Sequence, residues 1–143
     1  MADKTGKAWM AVGETDDPEA VIETFTADAD ITKGHPVYLS ADEQVTGAAA
    51  AQNCIGVAVK DAKDTKPAAV LTRGRVKVTA GGAITRGQAV YGSDADGKVL
   101  ALADQAVDEG GSAELTIYYN RKLGTALETA AAEDDLIFIK VGA

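Results

Sequence analysis

A ten-residue pattern that occurs twice constrains this chain more than any other feature. Ile31-Thr32-Lys33-Gly34-His35-Pro36-Val37-Tyr38-Leu39-Ser40 returns as Ile84-Thr85-Arg86-Gly87-Gln88-Ala89-Val90-Tyr91-Gly92-Ser93, 84 − 31 = 53 positions later. Six of the ten positions are identical, and Lys33/Arg86 adds a conservative pair, so the fold has to be one that a repeated unit can build. Within the pattern, Gly34 and Gly87 read as turn residues and the Val-Tyr that follows as the opening of a strand. A second correspondence lies downstream: Ile55-Gly56-Val57-Ala58 with Leu123-Gly124-Thr125-Ala126, then Ala69-Val70-Leu71 with Leu136-Ile137-Phe138. The spacing between the two signatures is 55 − 31 = 24 in the first copy and 123 − 84 = 39 in the second. The second copy therefore carries 39 − 24 = 15 extra residues, which the sequence places within 104–119.

Short β-branched or aromatic runs between Gly-rich turns give the strand candidates Val21–Thr26, Val37–Ser40, Ile55–Lys60, Ala68–Leu71, Arg75–Thr79, Ala89–Tyr91, Val99–Leu102, Leu115–Tyr119, Leu123–Leu127 and Leu136–Val141. The Ala-rich pieces Ala48–Ala51 and Ala130–Ala132 read as loops. The expectation is an all-β, internally duplicated, barrel-like domain over residues 21–143, with repeats at about 31–79 and 84–141. Residues 1–20 mix charge, Gly and Thr around a small apolar island, Trp9-Met10-Ala11-Val12, and read as an extended, flexible N-terminal arm.

Composition narrows the function. Of 143 residues, 28 are alanine, so the bulky core is small for the length and a large ligand cavity is not expected. A net charge of −8 opposes capture of a phosphate backbone, which argues against direct nucleic-acid binding. One cysteine, Cys54, excludes an intrachain disulfide, and one histidine, His35, leaves little for a metal centre. No apolar stretch has the length of a signal peptide or of a membrane span, so a product made in the cytoplasm, with no membrane partner, is expected.

Candidate chemistry is sparse. Asp94-Ala95-Asp96-Gly97 resembles the start of a calcium loop but lacks the later ligands, and it reads as a hairpin turn. His35 has no carboxylate or cysteine partner spaced to it, and Cys54 has no basic neighbour in sequence to make it a nucleophile. The acidic runs Glu133-Asp134-Asp135 and Asp16-Asp17 lack the apolar cleft that would push two carboxyl pKa values apart. No phosphate cradle or nucleophile elbow occurs, so neither an enzyme activity nor a metal or other cofactor is expected. Arg73, Arg75 and Lys77 alternate along a strand and put three positive charges on one face, a possible contact for an acidic partner.

Taken in order, Ile31-Thr32-Lys33-Gly34…Val37-Tyr38, Cys54-Ile55-Gly56-Val57-Ala58, Arg73-Gly74-Arg75-Val76, Ile84-Thr85-Arg86-Gly87-Gln88-Ala89-Val90-Tyr91, Asp96-Gly97-Lys98-Val99 and Leu123-Gly124-Thr125-Ala126-Leu127-Glu128 resemble the capsid decoration (cement) proteins of tailed phages. The likeness covers about residues 20–142. Such proteins are similar in fold to the β-tulip head decoration protein of phage lambda and to β-clip domains. The resemblance implies a structural, non-enzymatic protein on the capsid exterior of the virion. It implies homotrimers at three-fold positions that stabilise the assembled shell, and an N-terminal arm gripping the major capsid protein. Trp9, Met10 and Val12 are the expected capsid-binding residues, because a polar arm that orders on its partner needs an apolar anchor. The alternative is a receptor- or glycan-binding module displayed on a particle surface, for which Tyr118-Tyr119 is the one adjacent aromatic pair.

Overall fold

A computed structural model describes residues 10–48, 53–92, 97–102 and 122–142. Nine strands occupy them, with no helix among the described residues: β1 Val21–Ala27, β2 Pro36–Ala41, β3 Gln44–Gly47, β4 Cys54–Ala58, β5 Pro67–Ala80, β6 Ala89–Gly92, β7 Lys98–Ala101, β8 Gly124–Ala126 and β9 Leu136–Val141. Two sequence expectations change. The candidates Ala68–Leu71 and Arg75–Thr79 form one continuous 14-residue strand, because Gly74 adopts a φ of +123° and carries the strand through where a turn was expected. Strand β3 was not foreseen: Gln44-Val45-Thr46-Gly47 is short and has one bulky apolar residue, and its pairing with β2 makes it a strand. The candidate Leu115–Tyr119, the 104–119 insertion and the Asp94–Asp96 part of the hairpin lie outside the described residues.

The strands form one sheet in the order β1-β3-β2-β4-β5-β7-β6-β8-β9, with added pairings β1–β5 and β5–β9. Those two pairings curl the sheet into two five-strand circuits, β1-β3-β2-β4-β5 and β5-β7-β6-β8-β9, which share β5. The same pairings recur in both circuits. β1 runs parallel to β3 through Thr26↔Gln44 and Ala27↔Val45, as β5 does to β7 through Thr79↔Lys98 and Ala80↔Val99. Outside the ladders the match extends to single hydrogen bonds. Gly34 N–H donates to Ala58 O and Gly87 N–H to Ala126 O, both at 2.7 Å. Isolated bridges Ile31↔Ala62 and Ile84↔Ala130 close equivalent corners. Gly34 and Gly87 both have a φ of +90°, which is why the repeated signature keeps glycine there.

The offsets locate the extra residues. Val45 corresponds to Val99 (99 − 45 = 54) and Ala58 to Ala126 (126 − 58 = 68). One additional residue therefore falls in the β6–β7 hairpin, and 68 − 54 = 14 fall between β7 and β8.

Two packed cores follow from the two circuits. The smaller contains Ala27, Ile31, Val37, Val45, Ala58, Ala62, Ala68 and Val70. Each has its equivalent in the larger: Ala80, Ile84, Val90, Val99, Ala126, Ala130, Ile137 and Ile139. The match of Val70 to Ile139 corrects the expected alignment of Ala69-Val70-Leu71 with Leu136-Ile137-Phe138 by two residues, because the bonds Val59 N–H to Ala69 O and Leu127 N–H to Phe138 O set Ala69 against Phe138. The larger also holds Cys54, Val57, Leu71, Val76 and Val78, so it reaches across β5 into the first circuit and joins the halves. Phe138, Leu71 and Ile84 are the bulkiest fully buried side chains after which the core is built largely from valine and isoleucine.

Inside each circuit one glycine sits where two strands come closest. A Cβ on Gly56 would fall against the carbonyl of Leu71, and one on Gly124 against the carbonyl of Lys140. The backbone at these points cannot yield without breaking the β4–β5 or β8–β9 pairing. Gly56→Ala and Gly124→Ala are each expected to destabilise the protein by about 1–3 kcal/mol, the usual cost of overpacking. Denaturant unfolding that gave midpoints equal to that of the parent would contradict the close approach.

Candidate functional site

The N-terminal segment is where the sequence placed its partner contacts, and most of its described part is engaged with the domain itself. Met10 is 5% exposed and Val12 is half-buried, its methyl groups covering Gly34 where a side chain would otherwise project. Gly13 N–H donates to Lys77 O at 2.7 Å and Lys77 N–H to Glu14 O at 3.0 Å, so the segment adds itself to the outer edge of β5. Residues 10–20 are thus bedded along β5 and the first repeat rather than standing free as the outer part of an arm, because the β5 edge offers main-chain bonds. Trp9 lies outside the described residues.

Side chains reinforce this seam. Glu14 Oε1 accepts from Ala11 N–H at 3.0 Å, and Glu14 Oε2 lies 3.5 Å from Lys33 Nζ. The Ala11 amide, followed by the Lys33 ammonium, holds the Glu14 carboxyl below its ordinary value of 4.5. Asp17 Oδ2 accepts from Arg75 N–H at 3.4 Å, and Asp16 Oδ1 lies 4.0 Å from Arg75 Nε. The pair Asp16-Asp17 therefore faces the basic strand inside the same chain.

That seam changes the meaning of the basic stripe. Arg73, Arg75 and Lys77 do alternate on β5, but their surroundings diverge. Arg73 is exposed, in a shallow groove shared with Asp17, Glu19, Val21 and Lys140. Arg75 is half-buried, with its guanidinium 4.8 Å from the centre of the Phe138 ring. Lys77 is only 3% exposed: its ammonium sits 4.6 Å from the same ring and 3.4 Å from Glu128 Oε1, which also accepts the Phe138 N–H at 2.7 Å. Two of the three cations thus have their acidic or aromatic partners within the chain, and Arg73 alone of the three faces solvent.

The other candidates have structural settings. Cys54 is buried against Gly92, and burial pushes its thiol up to about 12 despite a backbone hydrogen bond from that glycine. The His35 ring lies against Gly97, whose φ of +76° serves the β6–β7 hairpin, so the imidazole packs one repeat's turn on the other's. In the run 133–135, Asp135 Oδ2 accepts the Ala131 and Ala132 amides at 2.8 and 3.2 Å and orders its own turn. Glu133 and Asp134 hold the Lys98 ammonium at 2.7 and 3.0 Å, and these hydrogen bonds raise its pKa. Among the described residues no group of three or more His, Cys, Asp or Glu side chains is arranged to hold a metal.

Five large apolar side chains are exposed among the described residues. Val21 and Ile22 at the start of β1 are 43% and 49% exposed, and Leu39, Leu127 and Leu136 are also exposed. An isolated Val-Ile pair in a strand reads as core, and the structure leaves both side chains exposed at the start of β1.

Two measurements test these settings. With its folded pKa lowered, Glu14 contributes to the seam above its ordinary value, and that contribution is lost as pH falls through the folded value. The Ala11 amide resonance is therefore expected to titrate with a midpoint below 4.5, and a midpoint at or above 4.5 would refute the bond. Cys54 is expected to resist a thiol reagent at pH 8 in the folded protein and to react at once in denaturant, because almost no thiolate forms there. Equal rates in both states would contradict its burial.

The comparisons with known proteins fall on this whole two-circuit unit. The N base of head fiber protein gp8.5 of bacteriophage phi29 superposes with a TM-score of 0.57 at 20% identity, covering 86% of this chain and 94% of that one, which establishes a shared fold. No curated protein matches the sequence. The family described as phage cement protein matches residues 16–142, from the Asp16-Asp17 seam through both circuits to the end of β9. The chain belongs to the phage cement protein family.

Proposed function

We propose that this protein is a structural decoration protein that binds the outer surface of an assembled viral shell as a homotrimer, contacts the major capsid protein and stabilises the shell. The observation that carries the reading is the family match over residues 16–142, which takes in both cores. The fold shared with a phage head fiber base agrees with a capsid-associated role. Several exposed apolar side chains, Val21, Ile22, Leu39, Leu127 and Leu136, give the surface something to bury against neighbours.

The mechanism is mass action. A ligand that binds the assembled shell and not its dissociated subunits stabilises the shell by RT ln(1 + [L]/Kd), about 2.7 kcal/mol when free ligand is at 100 times Kd. A trimer multiplies this, since three linked sites rebind before the complex escapes. Nothing in such a role asks for a catalytic residue, and the buried, partnered side chains described above suit a rigid module that acts by contact.

Purified protein mixed with shells of its virus is expected to co-sediment with them, to appear at three-fold positions by electron microscopy and to raise the temperature at which the shells open. Shells that neither retain the protein nor gain heat resistance at saturating concentration would overturn the reading.

A further inference from the structure

The seam described above joins two parts of the chain that need not belong to one molecule. The surface that receives residues 10–17 is built from the first repeated signature and from β5. Gly34 lies under the Val12 methyl groups, Lys33 Nζ lies 3.5 Å from Glu14 Oε2, Lys77 exchanges main-chain bonds with Gly13 and Glu14, and Arg75 N–H donates to Asp17 Oδ2. The segment also carries its own shape. Glu14 N–H donates to Ala11 O at 3.2 Å and Ala11 N–H to Glu14 Oε1 at 3.0 Å, so the turn at 11–14 is closed by bonds inside the segment. With Met10 buried, Val12 half-buried and three carboxylates set against Lys33 and Arg75, residues 10–17 fit β5 as a preformed acidic strand fits a basic edge.

The link from this segment to β1 is exposed and slack. Between Glu14, beside Lys77, and Val21, opposite Arg73, the chain uses 21 − 14 = 7 residues to pass 77 − 73 = 4 residues of β5. The excess is folded into a turn at Asp17-Pro18-Glu19-Ala20, where Ala20 N–H donates to Asp17 O at 3.2 Å and Glu19 N–H to Asp17 Oδ1 at 2.9 Å, with Pro18 and Glu19 exposed. Drawn out, seven residues reach about 23 Å against about 13 Å for four, which lets the segment leave its own β5 for that of an adjoining molecule while β1 stays in place. Opening the turn gives up its two hydrogen bonds, and the contacts of the segment with its site are made again on the other molecule. The surroundings of the turn supply a gain. Two copies that cross there meet where Val21 and Ile22 are 43% and 49% exposed and where a groove sets Asp17 and Glu19 against Arg73 and Lys140. A patch with two acids, two bases and an apolar pair is complementary to a copy of itself, and closure of the segment on its own domain leaves that patch exposed.

We propose that residues 10–17 are exchanged between copies of this chain in the trimer: each molecule lays the segment on β5 of a neighbour, with Val12 over the neighbour's Gly34 and Gly13 and Glu14 bonded to the neighbour's Lys77. A single chain closes the segment on itself, and assembly replaces it with an identical one, which is a low-cost route to an oligomer. The contact is head to tail, because donor and acceptor are different surfaces, and under a three-fold rotation it closes into a ring. The exchange rests on the homotrimer proposed above and names what joins its subunits. Met10 and Val12, expected from the sequence to bind the capsid, bind the neighbouring subunit instead.

An isotope-mixed sample separates exchange from self-closure. Full-length chains with labelled valine methyl groups are unfolded together with an equal amount of unlabelled chain, refolded, and searched by filtered nuclear Overhauser spectroscopy for contacts between the two kinds of chain. Light scattering is expected to give a trimer, and the Val12 methyl groups are expected to show a contact to the Gly34 α-protons across chains. Deletion of residues 18–20 cuts the reach of the link to about 13 Å, which suits the segment's own site and no other. That variant is expected to raise the dissociation constant of the trimer at least about tenfold with far-UV circular dichroism unchanged. A trimer whose Val12–Gly34 contact lies within one chain would overturn the exchange and leave the homotrimer standing, and a deletion variant that remains trimeric would do the same. A full chain that stays monomeric at high concentration would also overturn it, while shell binding, read separately by co-sedimentation, decides the decoration role. If the deletion variant fails to fold, the contact across chains decides.

Discussion

Strand β5 is a member of two closed circuits at once, and the architecture depends on that sharing. Its first half pairs with β1 and β4, its second with β9 and β7, and Gly74 lets the fourteen residues pass from one environment to the other without a break. Because the strand is common, neither circuit can open without exposing Val76, Val78 and Leu71, which are fully buried in the core that spans the joint. A circuit of five short strands with a core of eight small residues is a marginal unit by itself. Two of them made to share a strand behave as one larger domain.

The halves are equivalent in plan and unequal in bulk. Where the first core uses Ala68 and Val70, the second uses Ile137 and Ile139, and it adds Phe138 on the outer side beneath Arg75 and Lys77. The buried Lys77 ammonium is held by an ion pair and an aromatic face together, and removal of one partner from such a group typically costs about 3–5 kcal/mol. This explains why the N-terminal segment crosses here. Its main chain satisfies Lys77 and its carboxylates meet Arg75, so a strongly cationic edge is neutralised from within the chain.

The plan of the fold was legible in the repeated signature. Ile31 and Ile84 end at matching bridges, Gly34 and Gly87 turn with equal φ, and Val37 and Val90 enter matching cores. Local pattern failed where the deciding partner is remote. Gly74 reads as a turn in sequence because glycine usually ends strands, and only the pairing of β5 with β1 and β9 on its two sides keeps it extended. Lys77 reads as solvent-facing because strand alternation tells which face a side chain takes and not what lies on that face. Val12 and Met10 read as free anchors for the same reason. The glycine that Val12 covers is twenty-two positions away, and the strand beside Gly13 is sixty-four away.

The exposed β1 edge follows from the same economy. Two circuits of matching pairing present the same kind of edge twice, and an unpaired edge is a place where other chains can add. The second circuit closes its edge with residues 13–14, and no described residue does the same for Ile22 and Thr24. Where β5 carries Arg75 and Lys77, the equivalent positions on β1 carry Ile22 and Thr24, and Val21 beside them is apolar too. Strand β1 carries neither lysine nor proline, and exposed valine and isoleucine stand there instead. The two circuits therefore match in plan and differ in finish: the charged strand is neutralised by a segment of the same chain, and the apolar one keeps its valine and isoleucine exposed.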